Sequence, residues 1–106
     1  MLVEGKMYYL ITFYDTFYKT VFVRTQAYAA QSNLTEYVFR TKLGDIHLSG
    51  SLRQTEKNNN FVSEDFEAAK IEIAKRVYRG KSIARLPMNQ SRILSWAMEK
   101  YPDKLL

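Results

Sequence analysis

Two stretches near the N-terminus are rich in aromatic and branched residues and read as paired strands. Met7-Tyr-Tyr-Leu-Ile-Thr-Phe-Tyr14 and Tyr18-Lys-Thr-Val-Phe-Val-Arg-Thr25 are separated by Asp15-Thr16, or by a slightly longer turn that takes in Phe17. Together they predict a β-hairpin over residues 6–26. In the second strand Lys19, Val21, Val23 and Thr25 share one parity, and Tyr18, Phe22 and Arg24 the other. Both faces are therefore partly apolar, one expected to pack on helices and the other to stay partly wet.

Residues 28–44 carry two patterns at once. Thr35, Tyr37, Val38, Phe39 and Thr41 favour a strand, and Lys42-Leu-Gly-Asp45 would serve as a hairpin turn. Against this, Asn33-x-x-Glu36 resembles a capping box, Leu34, Tyr37, Val38 and Thr41 recur at helical spacing, and Gly44 stands where a helix wants its terminal glycine. Three position-specific signals outweigh a diffuse propensity, so a short helix is expected, with a third strand as the alternative. Residues 45–54 then alternate, with Ile46, Leu48 and Leu52 on one face and His47, Ser49, Ser51 and Arg53 on the other. That predicts a half-buried strand with Gly50 as a bulge, followed by a polar surface loop over residues 55–60.

The last part of the chain reads as two helices. Over residues 63–79, Ser63 can cap, and Glu64 and Asp65 suit the positive end of the helix dipole. Phe66, Ala69, Ile73, Ala74 and Val77 form a buried stripe, Glu72 and Arg76 pair on the outside, and Gly80 stops the helix. A second helix over residues 89–101 starts at Asn89 or Ser91 and ends before Pro102, with Ile93, Leu94, Trp96, Ala97, Met98 and Tyr101 as its apolar positions.

Composition narrows the class. The chain has 106 residues, 46% apolar and 14% aromatic, enough for one α+β domain spanning residues 1–106 with its own core. Cysteine is absent, which excludes disulfides and thiolate metal centres, and His47 is the only histidine. No apolar run approaches the ~20 residues of a membrane helix. Glu4 stands where a secretory leader would be basic, so a cytoplasmic protein without membrane attachment is expected. No cofactor motif is present. The triplet Gly80-Lys81-Ser82 looks like the end of a phosphate-binding loop but lacks its upstream glycine, and reads as a helix stop followed by a basic loop.

Charge changes the picture most. The net charge is +5, yet residues 1–69 carry seven basic against eight acidic side chains, while residues 70–106 carry nine against three. Lys70, Lys75, Arg76, Arg79, Lys81, Arg85 and Arg92 face a single acid, Glu72, around a helix–loop–helix corner. Such a corner can meet phosphates through its cations and through the amides that open the second helix. Its connection is longer than a helix-turn-helix allows, so backbone contact rather than sequence reading is expected. Arg92, in the first turn of a helix, is disfavoured by the dipole unless an anion intervenes. A basic face that merely keeps the chain solvated is the competing reading.

Tyr8, Tyr9, Phe13, Tyr14, Phe17, Tyr18 and Phe22 crowd the hairpin, where bases could stack, although a small domain needs about half of such rings for its core. Asp45, Glu56 and Lys57 faintly resemble a metal-nuclease layout with His47 nearby, but the lysine follows the acid directly and the spacing is wrong. The expectation is a non-enzymatic protein that contacts nucleic-acid backbone through Lys75, Arg76, Arg79, Lys81, Arg85 and Arg92, with no catalytic residue, metal or cofactor. The alternative is an adaptor or inhibitor that docks on an acidic partner protein through the same surface and the aromatic hairpin.

Overall fold

The computed structural model describes residues 2–28, 31–50 and 52–105, and only the backbone at residues 31–33 and 52–54. Five strands and three helices follow one another as β1 (Met7–Ile11), β2 (Phe17–Tyr28), β3 (Gln31–Thr41), β4 (Gly44–Ser49), α1 (Leu52–Lys57), β5 (Phe61–Ser63), α2 (Phe66–Tyr78) and α3 (Gln90–Lys100). The strands form one antiparallel sheet in the order β4-β3-β2-β1-β5, and α2 and α3 pack on it, an α+β arrangement. Among the described residues no helix is long and apolar enough to cross a membrane.

Alternation along the strands builds two cores. On one side Ile11, Phe17, Ile73, Ala74, Ile83, Ile93, Ala97 and Leu105 form a buried cluster between sheet and helices, with Tyr9, Phe61, Phe66 and Trp96 at its margin. On the other, Tyr8, Phe22 and Phe39 are buried, and Leu48 of β4 and Val62 of β5 pack on them. Those two strands lie at opposite edges of the sheet. The cluster therefore runs across the sheet from one edge to the other. A bulge interrupts β2: Phe22 pairs with Phe39 but Arg24 with Val38, leaving Val23 as the extra residue. The bulge also overturns the expected facing of β2. Phe22 turns into the core while Arg24, of the same parity, reaches the outer face and donates to Gln26 Oε1 at 2.8 Å.

Residues 31–41 form a central strand and not the expected helix. β3 bonds to β2 on one side and β4 on the other, and its neighbours Val38 and Phe39, on opposite faces, are both fully buried. Burial on both faces rewards branched and aromatic side chains and overrides a local helical period. Gly44, at φ 126°, serves the turn into β4 instead of a helix end, and Thr41 Oγ1 accepts the Leu43 amide in that turn. The capping role expected of the Asn33 side chain lies outside the described residues.

Three boundaries also move. β4 stops at Ser49, and residues 52–57, expected as the end of a strand and the start of a loop, form α1. Gly50, at φ 101°, marks that break and is no bulge; its amide donates to Thr35 O at 2.7 Å. The facing expected of Ser51, Leu52 and Arg53 lies outside the described residues. Ser63 belongs to β5, so α2 is capped by Asp65, which accepts the Glu67 amide at 3.0 Å. Asn89 caps α3 as expected, accepting the Ser91 amide at 2.8 Å.

Candidate nucleic-acid interface

The β1–β2 connection is longer than expected: β1 ends at Ile11, which places Phe13 and Tyr14 in a turn rather than in a strand. Within it the Asp15 amide donates to Thr12 O at 2.9 Å and the Thr12 amide to Thr16 O at 3.0 Å. Asp15 sits in the left-handed region at φ 56°, which a short carboxylate side chain tolerates. Two distant segments clamp the turn. The Phe13 amide donates to Asn60 Oδ1 at 2.7 Å, and Ala84 bonds both ways, its amide to Asp15 O and its carbonyl from the Phe17 amide, each at 2.9 Å.

Arg76 is the third clamp, and here the structure corrects the sequence reading. Expected on the exposed helix end, it is 7% exposed. Its Nη1 donates to Thr12 O at 2.7 Å and to Asp15 Oδ1 at 3.1 Å, its Nη2 to Asn59 O, and its Nε to Glu72 Oε2 at 2.9 Å. A buried guanidinium is tolerable when most of its donors are matched and its charge is countered; here four of its five N–H groups are matched and two carboxylates counter the charge. Arg76 is therefore committed to these internal partners and has little left to offer a phosphate. It ties α2, the aromatic turn and the loop before β5 into one unit.

The clamped turn presents its rings outward. Phe13 is 53% and Tyr14 82% exposed, with ring centroids 5.2 Å apart and nearly edge to face. Of the crowded hairpin aromatics, Tyr8, Phe17 and Phe22 are buried and Tyr9 packs at the core margin, which leaves Phe13, Tyr14 and the half-buried Tyr18 to the outside. Phe13 and Tyr14 form a ridge between two depressions. One, of about 450 Å³, contains Arg79 and Lys81 together with Asp15, Asn59, Glu72 and Arg76. The other, of about 560 Å³, runs between the turn and β4 and is lined by Tyr18, Ile46, His47, Leu48, Ser49, Asn58 and Asn60.

The expected basic residues are distributed unevenly around this ridge. Arg79 and Lys81 are exposed, share the smaller depression, and make no side-chain ion pair among the described residues. Arg85, at φ 66°, holds its guanidinium 5.9 Å from the centre of the Tyr18 ring on the other flank. Lys75 and Arg92 line neither depression, although both side chains are also without an ion pair among the described residues. Lys70 is engaged over the Trp96 ring at 4.0 Å. In the sequence Phe13 and Tyr14 read as part of a stacking surface, but within a strand and not in the turn, so only the basic residues stand among the expected contacts.

The nuclease-like residues do not converge. Asp45 is bound by Arg40 at 3.0 Å, which holds its carboxyl below the usual carboxylate range. His47 Nδ1 lies 3.1 Å from Glu36, whose carboxyl is likewise held low, first by the Gln26 amide and then by His47. Glu56 borders a different depression, and among the described residues no group of three or more acidic or histidine side chains is placed to hold a metal ion. No protein-family model, curated protein or solved structure matches the chain.

Proposed function

We propose that the protein is a non-enzymatic nucleic-acid-binding module whose cations meet the phosphate backbone. The observation that carries this reading is the pair of exposed cations, Arg79 and Lys81, without an ion pair among the described residues and held in one depression beside two exposed rings on a clamped turn. Arg85 extends the positive surface past the ridge, and Lys75 and Arg92 widen the approach field from neighbouring helix surface. Phosphate contact through such residues depends on charge and not on base identity. An acidic protein partner is the second reading, favoured by the exposed Phe13–Tyr14 pair, because aromatic and Arg side chains dominate interface energetics.

Fluorescence anisotropy with short DNA and RNA oligonucleotides between 50 and 200 mM salt tests the proposal. Three phosphate contacts would give a log–log slope of about −2 for single strands, a loss of about 20-fold across that range. The triple variant Arg79→Ala, Arg85→Ala, Arg92→Ala is expected to fold, since exposed substitutions shift stability by about 0.5 kcal/mol or less each, and to bind more weakly with a shallower slope. Absence of binding to both DNA and RNA at low salt ends this reading. An unchanged slope in the triple variant reduces the corner to a solvated surface.

A further inference from the structure

We propose that the Phe13–Tyr14 ridge makes the protein select single-stranded nucleic acid, with the backbone held on the Arg79–Lys81 side and unstacked bases laid on the rings. The proposal rests on the nucleic-acid reading above and adds to it the form of the ligand. Three observations lead there. The rings are exposed, yet the turn that carries them is fixed by Arg76, Asn60 and Ala84. Large apolar rings displayed at the tip of so heavily bonded a turn contribute nothing to either core, and a rigid stacking platform loses little freedom on binding.

The depressions on the two sides of the ridge differ in chemistry. One holds Arg79 and Lys81 beside Asp15 and Glu72, whose charges are engaged by Arg76, and the other has a mixed lining of apolar, hydroxyl, amide and imidazole groups. A single strand has this same division, phosphates along one side and base faces and edges along the other. A duplex does not, because its base faces are covered by their neighbours. The larger depression, about 560 Å³, lies within the ~300–1,000 Å³ range of small-molecule sites and so has room for an unstacked base. At its rim Asn58 and Ser49 offer polar groups to base edges, while Asn60 Oδ1 is already taken by the Phe13 amide. Arg85 beside Tyr18 supplies a cation on the base side, where a strand leaving the ridge would present its next phosphate.

Stacking on an aromatic side chain is worth about 5- to 150-fold in affinity per base, and it does not depend on salt as phosphate contacts do. This separates the ring contribution from that of the cations. The parent protein should bind a 12-nucleotide single strand at least tenfold more tightly than a duplex of the same length at 100 mM salt. Phe13→Ala with Tyr14→Ala should lose at least tenfold on the single strand with an unchanged salt slope, and Tyr14→Phe should retain the parent affinity. Arg79→Ala with Lys81→Ala should instead make the slope shallower by about 1.4. Circular dichroism of each variant checks that the fold persists, as expected for side chains this exposed.

Equal binding of duplex and single strand, or full affinity in the double ring variant, overturns the single-strand inference while leaving backbone binding intact. Failure of the parent to bind any oligonucleotide at 50 mM salt overturns both. Tighter binding of a charge-matched polyglutamate than of either oligonucleotide overturns both in favour of an acidic protein partner.

Discussion

Arg76→Ala removes the side chain that joins α2 to the aromatic turn, and its effect follows from the four partners left behind. Thr12 O keeps the Asp15 amide but loses its second donor, Asn59 O loses the guanidinium, and the carboxylates of Asp15 and Glu72, whose side chains are 20% and 19% exposed, lose their counter-charge. Removing one partner of a buried ion pair costs about 3–5 kcal/mol. The carboxylates here keep some solvent, which places the expected loss near the lower bound, about 3 kcal/mol. A domain of this size has ~5–15 kcal/mol in total, so the variant should fold but with little reserve. With a urea slope of about 1.5 kcal/mol/M, the unfolding midpoint should fall by about 2 M. Arg76→Lys keeps a charge but cannot span acceptors on two loops and its own helix, and its midpoint should lie between alanine variant and parent. Arg79→Ala, three residues further along, should shift the midpoint by no more than about 0.3 M. Equal midpoints for the Arg76→Ala and Arg79→Ala variants would refute the assignment of Arg76 as a clamp.

Acid should weaken the fold through the outer face of the sheet. The carboxyls of Glu36 and Asp45 are both held below their ordinary values, the first by the Gln26 amide and His47, the second by Arg40. A lowered folded-state pKa gives stability that is fully present above the ordinary carboxylate range, near pH 4, and is lost as pH falls through the lowered values. The melting temperature followed from pH 6 to pH 2.5 should drop below about pH 4, and Glu36→Gln should flatten that drop; a steeper drop in the variant would contradict the account. In the core, Ile73 is fully buried between sheet and helices, and Ile73→Ala should destabilise by about 2–5 kcal/mol in chemical denaturation.

The sequence and the structure agree wherever a local signal had no long-range competitor. Asn89 before the helical period of α3, the buried stripe at Ala69, Ile73 and Ala74, and Gly80 after α2 all act as their chemistry suggests. Residues 31–41 failed because two neighbouring strands decide their state, and neither capping-like residues nor a helical spacing records a partner that lies elsewhere in the chain. Val23 shows the same limit on a smaller scale, since a single extra residue reverses the facing of everything after it. At the candidate interface, Arg79 and Lys81 were legible as cations on a solvated corner. Arg76 was not distinguishable from them, because its partners Thr12, Asp15 and Asn59 lie 17 to 64 residues away. For the same reason the exposure of Phe13 and Tyr14 was hidden in a run of rings that looked uniformly strand-like.

The turn between β1 and β2 has a consequence for the order in which the molecule assembles. A short hairpin normally completes itself from residues close in the chain, within microseconds. Here the tip is closed by Asn60, Arg76 and Ala84, the last of them joined to Thr16 across most of the chain. During synthesis β1 and β2 emerge before these partners, so their tip has only its local bonds among Thr12, Asp15 and Thr16 until residues well past the middle have left the ribosome. Its closure carries the loop entropy of these long separations, which places it late in folding. Contacts made after the transition state govern the rate of unfolding and not that of folding. On this ordering Arg76→Ala is expected to speed unfolding in denaturant-jump kinetics and shorten the lifetime of the native state, with the folding rate nearly unchanged.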